Sequence, residues 1–299
     1  WRELTKLRNT YLDPLPKEID PDTGRVHTTF IQTAAPTGRL SSIQPNLQSI
    51  PIRSDVGRPL RGCFVAEPGN LLVSADYSQV ELRVLAHMAD EPVLKGFFEA
   101  GEDVHSATAA QVFGIDAAEV DDSQRSKAKM VNFGIVYGLT GFGLADRLNI
   151  PRAEGDEFVK RYLDRFPAVT AFTSKVIEEA TETGYVTTLF GRRRPLPELK
   201  SSQATSRKQA ATLAIYTVIQ GSAADIIKVA MIRCHIALAE SGLSSRLVLQ
   251  IHDELLFEGP ESEADQVIEL ARREMCGAYD LEPPLEVDAG AGPDWLSAK

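Results

Sequence analysis

LLVSADYSQVELRVLAHM, residues Leu71–Met88, is the stretch whose reading decides the fold. Leu71, Leu72 and Val73 form an apolar run that reads as a buried strand. Asp76 follows within three residues, and Val80, Val84, Leu85 and Met88 then recur at helical spacing. The order is strand, acid, helix. It puts a carboxylate where a strand ends, a place from which folds present chemical groups on rigid supports. Asp is also a common turn residue, so an ordinary strand-to-helix turn competes with a functional one. Two further stretches shift the balance.

The first is RLVLQIHDELLFE, residues 246–258. Its apolar runs Leu247–Ile251 and Leu255–Phe257 flank His252-Asp253-Glu254, which predicts a β-hairpin with an acidic turn. The second is DDSQRSKAKMVNFGIVYG, residues 121–138. Asp121, Asp122 and Ser123 carry the acidic bias of a helix start. On that helix Arg125, Lys129, Phe133 and Tyr137 follow one another at intervals of four and drift along one face, while Ala128, Val131 and Ile135 lie on another. A merely solvated basic face leaves the two rings unexplained. Cations followed by rings suit a ligand with phosphates at one end and a base at the other.

Around these landmarks the chain is mostly helical. Residues 1–23 carry a short helical pattern and then turn signals, and GRLSSIQPNLQSIPIR (38–53) is a polar loop bearing Arg39, Asn46, Gln48 and Arg53. Such a loop is either solvated or offers amide and guanidinium donors to a nucleic-acid backbone or groove. Residues 91–120 read as short helices that include His105, and 152–183 as one long helix. Residues 187–199 read as a strand or hairpin with a basic turn, and 202–241 as a long helical stretch interrupted at Gln220-Gly221. A last helix (261–278) and a short strand (285–289) follow. The chain begins with Trp1 inside a charged helical stretch, which points to a piece of a longer protein.

Of the 299 residues, 43% are hydrophobic and 25% charged, ordinary values for a globular protein. No apolar run approaches the length of a membrane span. The net charge of −10 argues against general nucleic-acid affinity, but the cations are clustered: Arg125, Lys127 and Lys129; Arg192, Arg193 and Arg194; Arg207 and Lys208. Cys63, Cys234 and Cys276 are far apart, with no CxxC pair, so reduced thiols in a cytoplasmic setting are expected.

Two carboxylates at strand tips suit hard divalent cations, since Mg²⁺ takes one or two protein carboxylates plus water and substrate phosphate oxygens. Two such ions about 3.5–4 Å apart serve phosphoryl transfer. There is no GxxxxGK and no HExxH, and GLTGFGLADR (138–147) lacks the dinucleotide fingerprint. Two classes remain at this level: a metal-dependent nucleotidyl transferase or nuclease, and a non-catalytic nucleic-acid-binding module.

DYSQVELR (76–83), RSKAKMVNFGIVYG (125–138) and QIHDELLFE (250–258) closely resemble, in order and spacing, the three polymerase motifs of family A DNA polymerases. TGRLSSIQPNLQSIP (37–51), FGRRRPLPEL (190–199) and QGSAADIIKVAM (220–231) match further segments, so the resemblance spans nearly the whole chain. It implies an α+β, right-hand polymerase fold. The palm, built on an antiparallel sheet, would comprise 24–90 and 211–299, with mostly helical fingers at 91–210. Residues 1–23 would be a thumb–palm junction, with the thumb largely absent.

The resemblance also implies template-directed addition of deoxynucleotides to a primer 3′ end, in replication or repair. Partners would be primer–template DNA and deoxynucleoside triphosphates, with no membrane, and the chain would act as a monomer. Asp76 and Asp253, with the Tyr77 carbonyl, would hold two Mg²⁺ ions, for which Mn²⁺ substitutes; Glu254 lies beside them. Gln79, Glu81, His105, Arg125, Lys129, Phe133 and Tyr137 would bind the nucleotide, Glu81 crowding the ribose 2′ position. Lys129 counts among the catalytic set with Asp76, Asp253 and Glu254. Ser78 and Glu81 also match a capping box. Arg39, Asn46, Gln48, Gln220 and His252 would line the minor groove of the DNA, where shared acceptors report pair geometry. Departures occur at Ala211, Thr212 and Tyr216, where the family usually has Glu, Arg and Asn, at Ser126, where a second Arg is common, and at Lys299, where His is frequent. A polymerase-derived binding module without activity is the alternative.

Overall fold

The computed structural model describes residues 1–52, 54–136 and 141–299. Among them the strands are β1 (Thr29–Ile31), β2 (Ser41–Ile43), β3 (Asn70–Tyr77), β4 (Tyr185–Thr187), β5 (Arg193–Pro195), β6 (Arg246–Ile251), β7 (Glu254–Pro260) and β8 (Val287–Gly292). The α-helices are α1 (Arg2–Leu7), α2 (Val80–Ala89), α3 (Pro92–Glu99), α4 (Val104–Phe113), α5 (Asp122–Val136), α6 (Gly141–Leu148), α7 (Arg152–Arg165), α8 (Pro167–Thr183), α9 (Ala204–Ser241) and α10 (Ala264–Cys276). The chain forms two compact units, one of Trp1–Ser78, Ile226–Tyr279 and Leu285–Lys299, the other of Gln79–Asp225 and Asp280–Pro284.

The first unit is built on an antiparallel four-stranded sheet in the order β6-β7-β3-β8. β3 is central, and its run Leu72–Ala75 is buried, as its apolar sequence requires. Leu72, Leu249, Ile251 and Leu256 meet Leu7, Tyr11, Leu47, Ile50, Leu60 and Trp295 in one core. On α10, Val267, Leu270, Ala271 and Met275 form the buried stripe of an amphipathic helix.

The second unit is helical, with a single hairpin, β4–β5, among its described residues. Its core joins Val176 and Ala180 of α8, Val186, Leu196 and Leu199 around the hairpin, and Ala210, Ala214 and Val218 of α9. α5 starts with a reciprocal capping box: the Gln124 amide donates to Asp121 Oδ1 at 2.7 Å, and the Asp121 amide to Gln124 Oε1 at 2.9 Å.

Several sequence expectations need correction. The predicted helix over 152–183 is two helices, broken at Phe166 because Pro167 disfavours helical backbone in the residue before it. α9 runs unbroken through Gln220-Gly221; buried Ile219, Ala223, Ala224 and Ile226 around it outweigh the roughly 1 kcal/mol helical cost of a glycine. α2 starts one residue later than the Ser78–Glu81 capping pattern places it. Gln79 occupies the cap position of α2 in a left-handed conformation, φ 57°, with no side-chain cap bond. An apolar window long enough to span a membrane does occur, in α9, with mean hydropathy 1.3 over 18 residues; it is 78% buried within the protein, as in a core helix. The last helix and strand are displaced by a few residues, to Ala264–Cys276 and Val287–Gly292.

Candidate active site

Hairpin pairing creates the carboxylate end of the sheet unit. β6 and β7 are joined by His252 and Asp253 alone, with His252 at φ 53°, a sparsely populated conformation for a side chain of this size. The Tyr77 amide donates to the Asp253 carbonyl at 3.1 Å, which ties the end of β3 to the hairpin turn. In register, Asp76 lies between Glu254 on β7 and Asp288 on β8. Burial raises the Asp76 pKa above the ordinary carboxylate value; Lys299 opposes the shift, and Glu254 and Asp288 add to it. Lys299 Nζ lies 2.9 Å from Asp76 Oδ2, and Arg39 Nη2 3.6 Å from Asp253 Oδ1.

Glu254 differs from its two neighbours. It is 3% exposed. Its Oε1 accepts from Ser74 Oγ at 2.7 Å and Trp295 Nε1 at 2.8 Å, while Oε2 faces Arg61 Nη1 at 3.4 Å and Lys299 Nζ at 3.2 Å. Arg61 is itself buried, its guanidinium 4.0 Å above the Trp295 ring. Four donors thus surround this one buried carboxylate.

The loop residues singled out in the sequence lie in the same unit. Gln48 is held by Gln250, donating to its carbonyl at 3.2 Å and its Oε1 at 3.0 Å, and Gln48 Oε1 accepts from the Ser42 amide at 3.0 Å. Asn46 is exposed at the start of a short 3-10 turn, and His252 is exposed on the hairpin. Arg53 lies outside the described residues.

The helical unit holds the other set. On α5 Arg125, Lys129 and Phe133 are exposed or half-buried, while Ala128 and Val131 are fully buried, as the two-face pattern predicts. Arg125 donates twice to Asp103, at 2.8 and 3.1 Å, and this pairing holds the Asp103 carboxyl well below its ordinary range. Lys129 makes no ion pair among the described residues. His105 is 1% exposed, and burial pushes its pKa down to about 4, so the ring is neutral. Its Nδ1 is 3.1 Å from Asn132 Nδ2, its Nε2 3.3 Å from Gln79 Nε2, and its ring 5.5 Å from that of Phe133. The Gln79 Oε1 is buried with no hydrogen-bond partner. Glu81 and Gln220 are buried at 5% and 3%. Tyr137 lies outside the described residues.

Not every predicted basic cluster is open. Arg192 is paired with buried Asp225 at 2.6 Å, Arg194 donates to Thr217 at 2.7 Å, and Lys127 faces Glu154 at 3.3 Å.

The donor chemistry at the carboxylate end fits a hard divalent cation. Asp76 and Asp253 are half-exposed carboxylates on adjacent chain ends, tied together by the bond from the Tyr77 amide to the Asp253 carbonyl. No cluster of three or more His, Cys, Asp or Glu with metal-binding geometry occurs among the described residues. A site completed by substrate phosphate oxygens needs none.

Sequence inspection missed Ser74, Arg61, Trp295 and Asp288. Ser74 gave a signal: it is a polar residue two places before Asp76 on a buried strand, hence on the same face. Arg61 and Trp295 gave none, because their partner Glu254 lies 193 and 41 residues away.

Comparison with known proteins agrees with this arrangement. A family model described as DNA polymerase family A matches residues 1–297. The chain is 48% identical over 299 residues to the thermostable DNA polymerase I of Thermus aquaticus, and 48% identical over 298 residues to DNA polymerase I of Pseudomonas aeruginosa. All of this chain is aligned in both, against 36% and 33% of those proteins, so it spans about a third of their length. A solved structure, the POL domain of Pol1 from M. smegmatis in complex with DNA primer-template and dNTP, superposes with a TM-score of 0.95 at 46% identity, covering 99% of this chain and 52% of that one. The α+β polymerase fold expected from the motifs is therefore present. With a match that runs from the first helix through the last strand, the chain belongs to DNA polymerase family A.

Proposed function

We propose that this chain carries the nucleotidyl-transfer centre of a DNA-directed DNA polymerase, adding deoxynucleoside monophosphates to a primer 3′ end on a DNA template. The observation that carries this reading is the juxtaposition of Asp76 and Asp253 through the Tyr77–Asp253 backbone bond, in a chain of this family. Primer–template DNA and dNTP, which the mycobacterial Pol1 structure contains by its title, are the proposed partners. A monomer acting in the cytoplasm, in replication or repair, belongs to the same proposal.

Asp76, Asp253 and the Tyr77 carbonyl would hold two divalent cations, Mg²⁺ or in its place Mn²⁺. When bound, such a pair activates the attacking 3′ oxygen and offsets charge on the leaving pyrophosphate. The remaining work falls to the chain. Arg61, Ser74 and Trp295 hold Glu254 rigid, and Glu254 keeps its strand end in register with Asp76. Lys129 binds the triphosphate. Arg125 joins it by exchanging Asp103 for phosphate; an exposed pair of this kind contributes only about 0–1 kcal/mol, so the exchange is inexpensive. Neutral His105 orients Gln79 and Phe133, the latter packing on the sugar. Glu81 excludes a ribose 2′-hydroxyl, and Tyr137, outside the described residues, keeps the templating-base role that the family resemblance implies for it. Arg39, Asn46, Gln48, Gln220 and His252 follow the minor groove.

The subdomain limits of the sequence reading are retained here as functional ones: a junction at 1–23, palm at 24–90 and 211–299, and fingers at 91–210. Primer extension by this chain tests the whole reading. Mg²⁺-dependent extension that EDTA abolishes is expected. Primer–template binding without extension would establish the inactive binding module instead.

A further inference from the structure

Lys299 is held against the carboxylate end. The segment Asp294–Lys299 lies flat on β8 because Gly290 and Gly292 make room for it. A Cβ at Gly290 would stand 2.9 Å from the Ala298 carbonyl oxygen, and one at Gly292 would stand 2.4 Å from Ser297 Oγ. Trp295, fully buried, pins the segment through its bond to Glu254, and the Ala298 amide closes a turn onto the Asp294 carbonyl at 3.1 Å. The result is an ammonium 2.9 Å from Asp76 Oδ2 and 3.2 Å from Glu254 Oε2.

We propose, on the footing that Asp76 holds a divalent cation during turnover, that Lys299 is the resident counter-cation of Asp76 and must leave that carboxylate for the divalent ion to bind. The charges point this way. An ammonium and a divalent cation on one carboxylate repel each other strongly at such separations. Lys299 also has somewhere to go. A cleft of about 310 Å³ opens beside it, lined by Ser74, Asp76, Asp288 and Lys299, and Asp288 stands there as a second carboxylate. Without Lys299, Asp76 would share its neighbourhood with Glu254 and Asp288 and lose the one ion pair it makes among the described residues. The ammonium therefore stabilises the metal-free carboxylate end and weakens divalent-cation binding until a triphosphate brings additional negative charge. Metal loading is thereby coupled to arrival of the nucleotide.

The test is a Mn²⁺ titration of the chain without DNA or nucleotide, read as free Mn²⁺ by electron paramagnetic resonance. Lys299→Met is expected to bind Mn²⁺ about tenfold more tightly than the unsubstituted chain, and Lys299→Arg, which keeps the charge, to bind as the unsubstituted chain does. Asp76→Asn separates the two levels. If Mn²⁺ binding needs Asp76 but Lys299→Met leaves affinity equal or weaker, the role of Lys299 is wrong while Asp76 remains a ligand. If Asp76→Asn binds Mn²⁺ as well as the parent does, both fail together. A measurement on the unsubstituted chain is independent of how the variants fold: Lys299 acetylation, followed by mass spectrometry, should run several-fold slower in EDTA than at the Mn²⁺ concentration that saturates the chain in the titration. Equal rates overturn the proposal.

Discussion

Glu254 and Lys129 are both charged residues of the polymerase motifs, yet their surroundings are opposite. Glu254 is buried and held by Ser74, Arg61, Trp295 and Lys299. Lys129 is exposed on α5 with no ion pair among the described residues. The difference teaches where each unit invests its bonds. At the carboxylate end, like charges are kept close on paired strands, which costs energy unless each is matched by donors. On the proposed reading the α5 face carries cations for a ligand that brings its own negative charge, so partners there are missing among the described residues, as at Lys129, or exposed and exchangeable, as at Arg125–Asp103. Stability and activity should therefore be coupled in the first region and separable in the second.

The largest effect is expected at the carboxylates. Asp76→Asn and Asp253→Asn keep the shape but remove a charge. Each should reduce primer extension about a thousandfold or more, a barrier increase of about 4 kcal/mol, while circular dichroism reports a folded chain. A variant retaining a tenth of the rate would remove that residue from the cation site.

Glu254→Gln probes the buried network itself. It leaves buried Arg61 without its carboxylate partner, while exposed Lys299 keeps Asp76, and breaking a buried pair costs about 3–5 kcal/mol. Denaturant unfolding should show that loss. An unchanged midpoint would mean that Arg61 finds another partner and that the network is not what holds β7.

His105 provides a contrast within the helical unit, because it is buried there as Glu254 is in the sheet unit. Its folded pKa of about 4 lies below the ordinary 6.5, so on acidification the unfolded chain takes up the proton first. The stabilisation is complete above pH 6.5 and is lost as pH falls from 6.5 towards 4. Between pH 7 and 4.5 the loss should be about 2–3 kcal/mol. Unfolding free energies of the parent and of His105→Gln, compared at the two pH values, isolate that share; identical pH dependence in both would place the ring in an environment open to water.

Lys129→Ala should lower kcat/KM for the incoming nucleotide about 10- to 100-fold, the value of one charge-assisted phosphate contact. Stability should stay within about 0.5 kcal/mol, as for an exposed side chain. A matching loss in primer–template affinity would mean that α5 acts by general charge. The smallest effect is expected at Asp121→Ala, which removes half of the α5 capping box at a cost of about 1 kcal/mol. Amide exchange confined to the first turn of α5 would register it, and protection equal to the parent's would show that the cap is redundant.

What the sequence determined by itself was local. The strand–acid–helix order at Leu71–Met88, the acidic hairpin at 246–258 and the two faces of α5 all follow from periodicity over a few residues, and the structure contains the first two and, as far as Phe133, the third. Local rules were less exact where helix ends and breaks were concerned. Ser78 and Glu81 satisfy the capping-box pattern, while the cap position itself falls on Gln79, in a left-handed conformation. Gln220-Gly221 reads as a break, yet buried neighbours carry α9 through it. Tertiary structure alone decided the partners of the carboxylates. The Asp76–Lys299 contact joins residues 223 positions apart, and Ser74–Glu254 joins residues 180 apart. Strand register and the glycine-lined face of β8 set those meetings. No periodicity encodes them, because a charged side chain looks the same in sequence whether it faces solvent, a ligand or a buried partner from the far end of the chain.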